Sequence, residues 1–538
     1  MSESTGQAPP ESDRGLRLAA LLAGALVLAY GAVTTQVWED YWITFRSSRN
    51  LVDGLGLVFQ PGEKVHTFTS PLGVLFPALG YALTGSEDGA LWFFRAVGAL
   101  ALAGTAAMLV AHAREHGWPP LALAAGLAFG AFEAKQVAFS ANGMESAILA
   151  FFTAFAWREL TRAGGPRWPR LALAYAGLMW TRPDAFLVAG AITAGWFAFQ
   201  PAVPGGRSAW LRRVLPAIGV GGLLYAPWFF WAWWYYGSPV PQTIVAKSAL
   251  VAADLSPLRI LTAPLRCLVR DTGLDGLFAP PYFYATGWSA DFVNLCRLLA
   301  RVAAFAWLVP ALPRPARAAS LAVLVGGVYL NQVMPYPWYY APWTFLGGVA
   351  LAGVVHLALA STRAAVRRGG QVAVSLLLAL AAILLAVTAT NAWHQQRIVE
   401  NRGRKPLGRW LASQARPGDS VFLESLGYIG YYSNLKTYDF PGLSSPEVSG
   451  LVAAGKRNYG ELIAELRPSW VVVRPLEYMD HKLGDAAAMK DYEMVLVSDR
   501  RPLVEAVKPL PGRGLLEFDS VYMVYRRRAD APGTSPPP

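Results

Sequence analysis

Leu18-Ala19-Ala20-Leu21-Leu22-Ala23-Gly24-Ala25-Leu26-Val27-Leu28-Ala29-Tyr30-Gly31-Ala32-Val33-Thr34-Thr35-Gln36-Val37 runs without a charged side chain, and Trp38-Glu39-Asp40 follows at once. A bilayer core takes roughly 20 apolar residues per helix. The run is too long for the core of a signal peptide and lacks a small-residue cleavage site, so it reads as an uncleaved first span. Arg14 and Arg17 precede it and two carboxylates close it, a basic end and an acidic end on one helix.

The same pattern recurs outward from this helix. Spans are expected near 18–37, 90–112, 118–134, 138–157, 169–183, 185–200, 213–236, 297–312, 318–334, 339–360 and 371–392, eleven in all. Pro183 is expected to break the helical stretch between 169 and 200. With Arg14 and Arg17 on the cytoplasmic side, the later inner loops carry Arg114, then Arg158, Arg162 and Arg167, then Arg207 and Arg212, then Arg314 and Arg317, then Arg363, Arg367 and Arg368. That distribution satisfies the positive-inside rule. Ser70–Thr84 contains two prolines and is short, so it is taken as a re-entrant or interfacial piece of the first outer loop. Composition agrees with a membrane protein: 54% of residues are hydrophobic and only 15% charged. The net charge of +12 is spread over short loop clusters and forms no nucleic-acid patch. Two cysteines exclude a disulfide-rich scaffold and any multi-cysteine metal site.

Residues 1–392 thus form the membrane domain, with outer loops 38–89 and 237–296. Residues 393–528 read differently. Ser420–Leu423 and Trp470–Val473 look like strands, Arg416-Pro417-Gly418-Asp419 is a turn, and amphipathic helical stretches lie between. A soluble outer α/β domain of about 145 residues, tail included, fits. The tail 529–538 is Pro-rich and expected to be disordered. The fold class expected is a polytopic α-helical membrane protein with a C-terminal soluble α/β domain on the outer face.

Ionisable residues at membrane depth are functional suspects, and here they share the outer side. Glu39 and Asp40 end the first span. Glu145 is expected about two turns inside the outer end of the fourth. Arg182 and Asp184 flank Pro183, and Lys247 follows the span that ends near residue 236. Each also has a plain structural reading: a polar helix end, an ion pair, an interhelical hydrogen bond, a snorkelling lysine. His66 reads first as a loop histidine. Cys267 and Cys296 both lie outside, and whether they pair stays open. The aromatic stretches Trp228–Tyr236 and Tyr336–Trp343 suit an interfacial belt or sugar stacking. No His, Asp or Glu cluster has metal-ligand spacing, so no metal is indicated and no cofactor is certain.

Glu39-Asp40-Tyr41-Trp42-Ile43-Thr44-Phe45-Arg46, then Asn50-Leu51, Asp53-Gly54, Gly56-Leu57-Val58-Phe59, Pro61-Gly62-Glu63 and Thr69-Ser70-Pro71-Leu72, resembles the first outer loop of a bacterial family of GT-C glycosyltransferases, the terminal β-arabinofuranosyltransferase-like family. Asn142-Gly143-Met144-Glu145-Ser146, Arg182-Pro183-Asp184-Ala185 and Tyr236-Gly237-Ser238-Pro239-Val240-Pro241-Gln242-Thr243 with Ala246-Lys247 continue the resemblance. So do Gly427–Tyr432 and Tyr438–Leu443 in the outer domain. It implies a GT-C fold, an active site on the outer face of the cytoplasmic membrane, a polyprenyl-phosphate sugar donor and an Asp base at Asp40. Glu39 stands where Asp is usual and His66 where Glu is common.

The expectation is an inverting glycosyltransferase moving a sugar, such as arabinofuranose or another pentose or hexose, to an envelope glycan or lipid acceptor. Asp40 is its base with Glu39 assisting, and Arg182 and Lys247 hold the donor phosphate. Arg46, Glu145, Asp184 and His66 belong to the substrate site. The chemistry asks for a carboxylate to take the acceptor proton and fixed positive charge for the departing phosphate. A transporter or flippase of lipid-linked sugars, or a non-catalytic scaffold of envelope assembly, is the alternative.

Overall fold

The structure, a computed structural model, describes residues 11–201, 206–250, 256–269, 272–285, 287–507 and 510–529. Helix α1 is Glu11–Thr34, α2 Glu39–Val52, α3 Pro71–Thr84, α4 Glu87–Glu115, α5 Pro120–Gly130 and α6 Ala134–Ala141. Next come α7 Ser146–Thr161, α8 Trp168–Thr181, α9 Phe186–Phe199, α10 Gly206–Tyr236, α11 Gln242–Leu250 and α12 Pro257–Val269. Helices α13 Ala290–Phe305, α14 Arg314–Leu330, α15 Ala341–Leu359, α16 Ala364–His394 and α17 Lys405–Gln414 complete the long helical part.

The chain is a multi-pass membrane protein. Among the described residues five helices are long and apolar enough to cross a bilayer, or six if the pair α5 and α6 forms one span. Each of the eleven expected spans overlaps a helix, but α7, α8, α9, α13 and α14 have only 14 to 17 residues. The segment expected to be interfacial forms α3, 14 residues long, about 21 Å at 1.5 Å per residue and shorter than a bilayer core. Ser70 caps it, its hydroxyl accepting from the Gly73 amide at 2.8 Å.

The third and fourth expected spans are reshaped. Helices α5 and α6 meet at a 49° bend. In the bend the Lys135 ammonium donates to Glu133 Oε1 at 2.8 Å and to the Leu277 carbonyl at 3.2 Å. A buried charge must be paired, so the backbone turns to pair it. Gly143, at φ 97°, then breaks the chain again. A Cβ there would lie 2.6 Å from the Tyr41 ring, so only glycine lets α2 pack this closely. As a result Glu145 is the residue immediately before α7, not two turns inside a span.

Helix α16 passes out of the membrane domain without a loop. Ala364–Gln414 is one continuous run of 51 residues, with a π-helical stretch at Gln395–Arg404 leading into α17. The composition boundary at 392/393 therefore falls inside a helix. Beyond it lie strands β1 Ser420–Leu423, β2 Lys436–Asp439, β3 Trp470–Val473, β4 Tyr492–Asp499 and β5 Val521–Arg527, in the order β2-β1-β3-β5-β4. Strand β1 is parallel to β2 and β3, and β5 is antiparallel to β3 and β4. Both strands read from the sequence have the bounds expected. In the turn before β1 the Asp419 amide donates to the Arg416 carbonyl at 3.0 Å, with Gly418 at φ 89°. Residues 530–538 of the expected tail lie outside the described residues.

The two parts share a core. Ile43 of α2 and Phe59 of the following loop are buried with Leu407, Val421, Ile429 and Val472 of the C-terminal domain. Burying each such side chain contributes about 1.5–3 kcal/mol. The domain thus sits directly on the first loop.

Candidate active site

After α1 the chain turns sharply, with Thr35 in the left-handed region at φ 52°. Two contacts then hold the extended link to α2. The Val37 amide donates to Gln396 Oε1 at 2.9 Å, and the Trp38 amide donates to the Asn142 carbonyl at 2.8 Å. Helix α2 begins with Glu39 and Asp40 in its first turn, where the partial positive charge of a helix N-terminus favours carboxylates. Its aromatic face, Tyr41, Trp42 and Phe45, is buried against Tyr428 and Tyr431.

The two neighbouring carboxylates face different surroundings. Arg404 donates to Glu39 Oε2, and the Gly427 amide donates to Glu39 Oε1 at 3.2 Å. Arg404 also binds Glu400 and lies 3.6 Å from Asp519. Burial and the surplus of carboxylates around one guanidinium push the Glu39 carboxyl up to about 8, against the pull of Arg404. Asp40 is half-buried and forms no hydrogen bond or ion pair with any described residue. Burial raises its carboxyl, Lys247 lowers it, and Glu145 raises it again.

Asp40 lines two cavities. The larger, about 1020 Å³, lies between the helix ends and the C-terminal domain. Trp38, Lys247, Tyr282 and Tyr336 form one wall, while Arg404, Glu424, Phe440 and Asp519 stand on the other. The smaller, about 50 Å³, is lined by Asp40, Thr44, Thr69, Glu145, Arg182 and Lys247. Asp40 and Lys247 belong to both.

The two expected phosphate cations differ in what surrounds them. Arg182, 5% exposed, donates from Nη1 to Glu145 Oε1 at 3.1 Å and from Nε to Asp184 Oδ1 at 3.0 Å. Asp184 in turn accepts from the Tyr329 hydroxyl at 2.7 Å. The guanidinium also lies 4.4 Å from the centre of the Tyr339 ring. Its charge is thus already shared by two carboxylates. No described carboxylate forms an ion pair with Lys247, whose ammonium lies 4.5 Å from the centre of the Tyr336 ring. Among the described residues, Lys247 has no carboxylate that neutralises it.

Three expected site residues line neither cavity: Asp184, which is bound to Arg182, and Arg46 and His66. Arg46 is fully buried, donates from Nη1 to the Gly430 carbonyl at 3.0 Å and lies 4.3 Å from the centre of the Phe59 ring. It ties α2 to the C-terminal domain. The His66 ring stacks on Tyr236 at 4.6 Å, and burial pushes the imidazole down to about 4, so it is neutral near pH 7. The His66 carbonyl accepts from the Gln242 amide at 2.8 Å, which supports the start of α11. Cys267 and Cys296 are both buried free thiols.

Arg404, Glu424, Arg474 and Asp519 were not legible as site residues. Arg474 binds Glu424, and donates to Glu477 Oε1 and to Asp519 Oδ1, each at 2.7 Å. The Gly427–Tyr432 and Tyr438–Leu443 segments were the nearest signal: the Gly427 amide donates to Glu39, and Phe440, Pro441 and Leu443 line the larger cavity. Among the described residues no group of three or more His, Cys, Asp or Glu side chains is arranged to hold a metal ion.

Residues 391–525 match a family described as a domain of unknown function (DUF8728). No curated protein matches the chain in sequence. Among the solved structures that are similar, two are bound to a lipid phosphate. One is the archaeal oligosaccharyltransferase AglB from Archaeoglobus fulgidus, in complex with an inhibitory peptide and a dolichol-phosphate. It has a TM-score of 0.53 at 15% identity, covering 91% of this chain and 73% of that one. The other is ArnT from Cupriavidus metallidurans bound to undecaprenyl phosphate, with a TM-score of 0.50 at 13% identity, covering 97% of this chain and 99% of that one. At such identities the likeness is one of fold. The chain has the GT-C membrane fold with a small C-terminal sheet domain.

Proposed function

We propose that this protein is an inverting glycosyltransferase that takes its sugar from a polyprenyl-phosphate donor and passes it to a glycan or lipid acceptor. One observation carries the reading: a carboxylate, Asp40, and a cation, Lys247, neither of them paired with a described residue, share the walls of a cavity of about 1020 Å³ at the ends of the membrane helices. AglB and ArnT, which share the fold, hold dolichol-phosphate and undecaprenyl phosphate. That supports a lipid phosphate as the donor's carrier.

In the reaction an acceptor hydroxyl attacks the sugar's anomeric carbon. The new C–O bond forms as the bond to the phosphate oxygen breaks, and Asp40 accepts the hydroxyl proton. The polyprenyl phosphate leaves with its negative charge facing Lys247. Glu39 orients the base. Arg182, held by Glu145 and Asp184, borders the small cavity and shapes the phosphate pocket. Attack opposite to the leaving phosphate inverts the anomeric centre. The site faces the outer side of the cytoplasmic membrane, and arabinofuranose is one sugar that the first-loop resemblance implies.

The test is direct. Purified full-length protein is given a panel of polyprenyl-phosphate sugars with glycan and lipid acceptors, and transfer is followed by mass spectrometry. Transfer from one donor with inverted stereochemistry is expected. No transfer from any donor, in protein that binds none of them, would remove the proposal. The sugar itself is read from the envelope glycans of a deletion strain.

A further inference from the structure

We infer that the C-terminal domain is the frame that sets Asp40 and Lys247 relative to each other, and that Arg404 and Gln242 are the positioning residues through which it acts. The inference rests on the roles proposed above for those two side chains.

The domain grips both elements of the site. On one side Arg404 and the Gly427 amide hold the two oxygens of Glu39, the residue before Asp40. Gly427 sits so close that a Cβ on it would lie 2.2 Å from the Glu39 carbonyl oxygen. Such a contact lets the π-helical turn Leu426–Gly430 press on the first turn of α2 itself. Arg404 is 2% exposed and joins Glu39 to Glu400 and Asp519, so the grip is anchored inside the domain.

On the other side the domain holds α11, which carries Lys247. Gln242 Nε2 donates to Ser449 Oγ at 2.6 Å and to the Gly442 carbonyl at 3.2 Å. Arg457 Nη2 donates to the Ala249 carbonyl at 2.8 Å, at the far end of the same helix. Ala249 and Leu250 pack against the core that contains Val448 and Val471. The loop that presents Gly442 is itself fixed. Buried Asp439, at the end of β2, accepts from the Ser444 amide at 2.8 Å and from the Ser444 hydroxyl at 2.6 Å.

Asp40 and Lys247 lie about 200 residues apart in sequence, and both of their helices are short, outside the spans and gripped by the same domain. The membrane helices bring these elements to one end, and the sheet domain fixes their spacing. A displacement of 1 Å in such a pair costs on the order of 100-fold in rate. This assigns a task to the domain of unknown function: it completes the site.

The experiment uses the full chain with three readouts. They are steady-state transfer, binding of undecaprenyl phosphate, and hydrogen exchange at residues 39–45 and 242–250. Arg404→Gln is expected to lower kcat on the order of 100-fold, leave the donor KM unchanged and increase exchange at 39–45. Arg404→Lys, which keeps the charge but not the fork, is expected to recover part of kcat. Gln242→Ala is expected to raise the donor KM and the undecaprenyl phosphate Kd about 10-fold, with faster exchange at 242–250. Because Arg404 leaves three carboxylates behind when removed, Gln242→Ala decides the matter if Arg404→Gln does not fold. Exchange and phosphate affinity unchanged in Gln242→Ala would overturn the inference. If the unmodified protein transfers no sugar, the proposed function falls. The inference is then judged by exchange and phosphate binding alone.

Discussion

The Lys247 ammonium stands 4.5 Å from the centre of the Tyr336 ring, on the wall it shares with Asp40, and no described carboxylate pairs with it. The π face of Tyr336 holds the amine in place without cancelling its charge. Arg182, by contrast, is held by Glu145 and Asp184. The two cations are not equivalent, and they should respond differently to removal.

Lys247→Ala is expected to weaken undecaprenyl phosphate binding by about 10- to 100-fold, the loss of one charge-assisted contact of roughly 1.5–3 kcal/mol. Its melting temperature should barely change. Arg182→Ala leaves buried Glu145 and half-buried Asp184 without their partner, which costs about 3–5 kcal/mol of stability. It should show chiefly as a lower melting temperature. Equal donor affinity in Lys247→Ala and the unmodified protein would remove Lys247 from the phosphate site.

Asp40→Asn keeps the shape of the side chain and removes the base. Transfer should fall by roughly 100-fold or more, with expression, membrane insertion and donor binding retained. Glu39→Gln should lower transfer less, because Arg404 keeps Glu400 and Asp519 as partners. A rate at the original level in Asp40→Asn would move the base to Glu145 or Asp184.

Transfer should also depend on pH through Asp40. A base works only when deprotonated, and burial raises this carboxyl above the ordinary aspartate range. Activity is therefore retained at higher pH and lost as pH falls through the raised value. Lys247 lowers that value and Glu145 raises it. Lys247→Ala should shift the acid limb of kcat/KM to higher pH, and Glu145→Gln should shift it to lower pH. Limbs that stay in place in both variants would mean that another group controls the rate.

Gly427→Ala puts a methyl group 2.2 Å from the Glu39 carbonyl oxygen, against backbone that cannot swing aside. It should destabilise by about 1–3 kcal/mol, as overpacking does, and lower kcat with it. Gly450 lies on the exposed face of the helix Pro446–Ala453 with nothing within 4 Å of its Cβ position. Gly450→Ala should be neutral or stabilising, by up to about 1 kcal/mol. Equal melting temperatures for the two variants would contradict the close contact.

Orientation is tested with reporters active only outside the cytoplasm. A fusion after residue 395 should be active, and fusions at 163 and 365 inactive. An inactive reporter at 395, with normal expression, would place the site on the other face.

What the sequence determined by itself was local. A run of 20 apolar residues requires a helix in a bilayer wherever it occurs. Short apolar runs rich in Val and aromatic residues, bounded by turn residues, mark Ser420–Leu423 and Trp470–Val473 as strands through their own backbone needs. Glu39 and Asp40 follow closely on the first long helix, a nearness written in consecutive residues, although they open α2 rather than close α1. What only the tertiary structure decided was which charges are neutralised. Arg182 is captured by Glu145, 37 positions earlier, and Glu39 by Arg404, 365 positions later, while no described carboxylate pairs with Lys247. The bend that pairs Lys135 with Glu133 and brings Glu145 to a helix end was hidden for the same reason. Electrostatic pairing depends on distance through space and on the loss of water around each charge. Neither quantity has a period along the chain, so no pattern in the sequence records it.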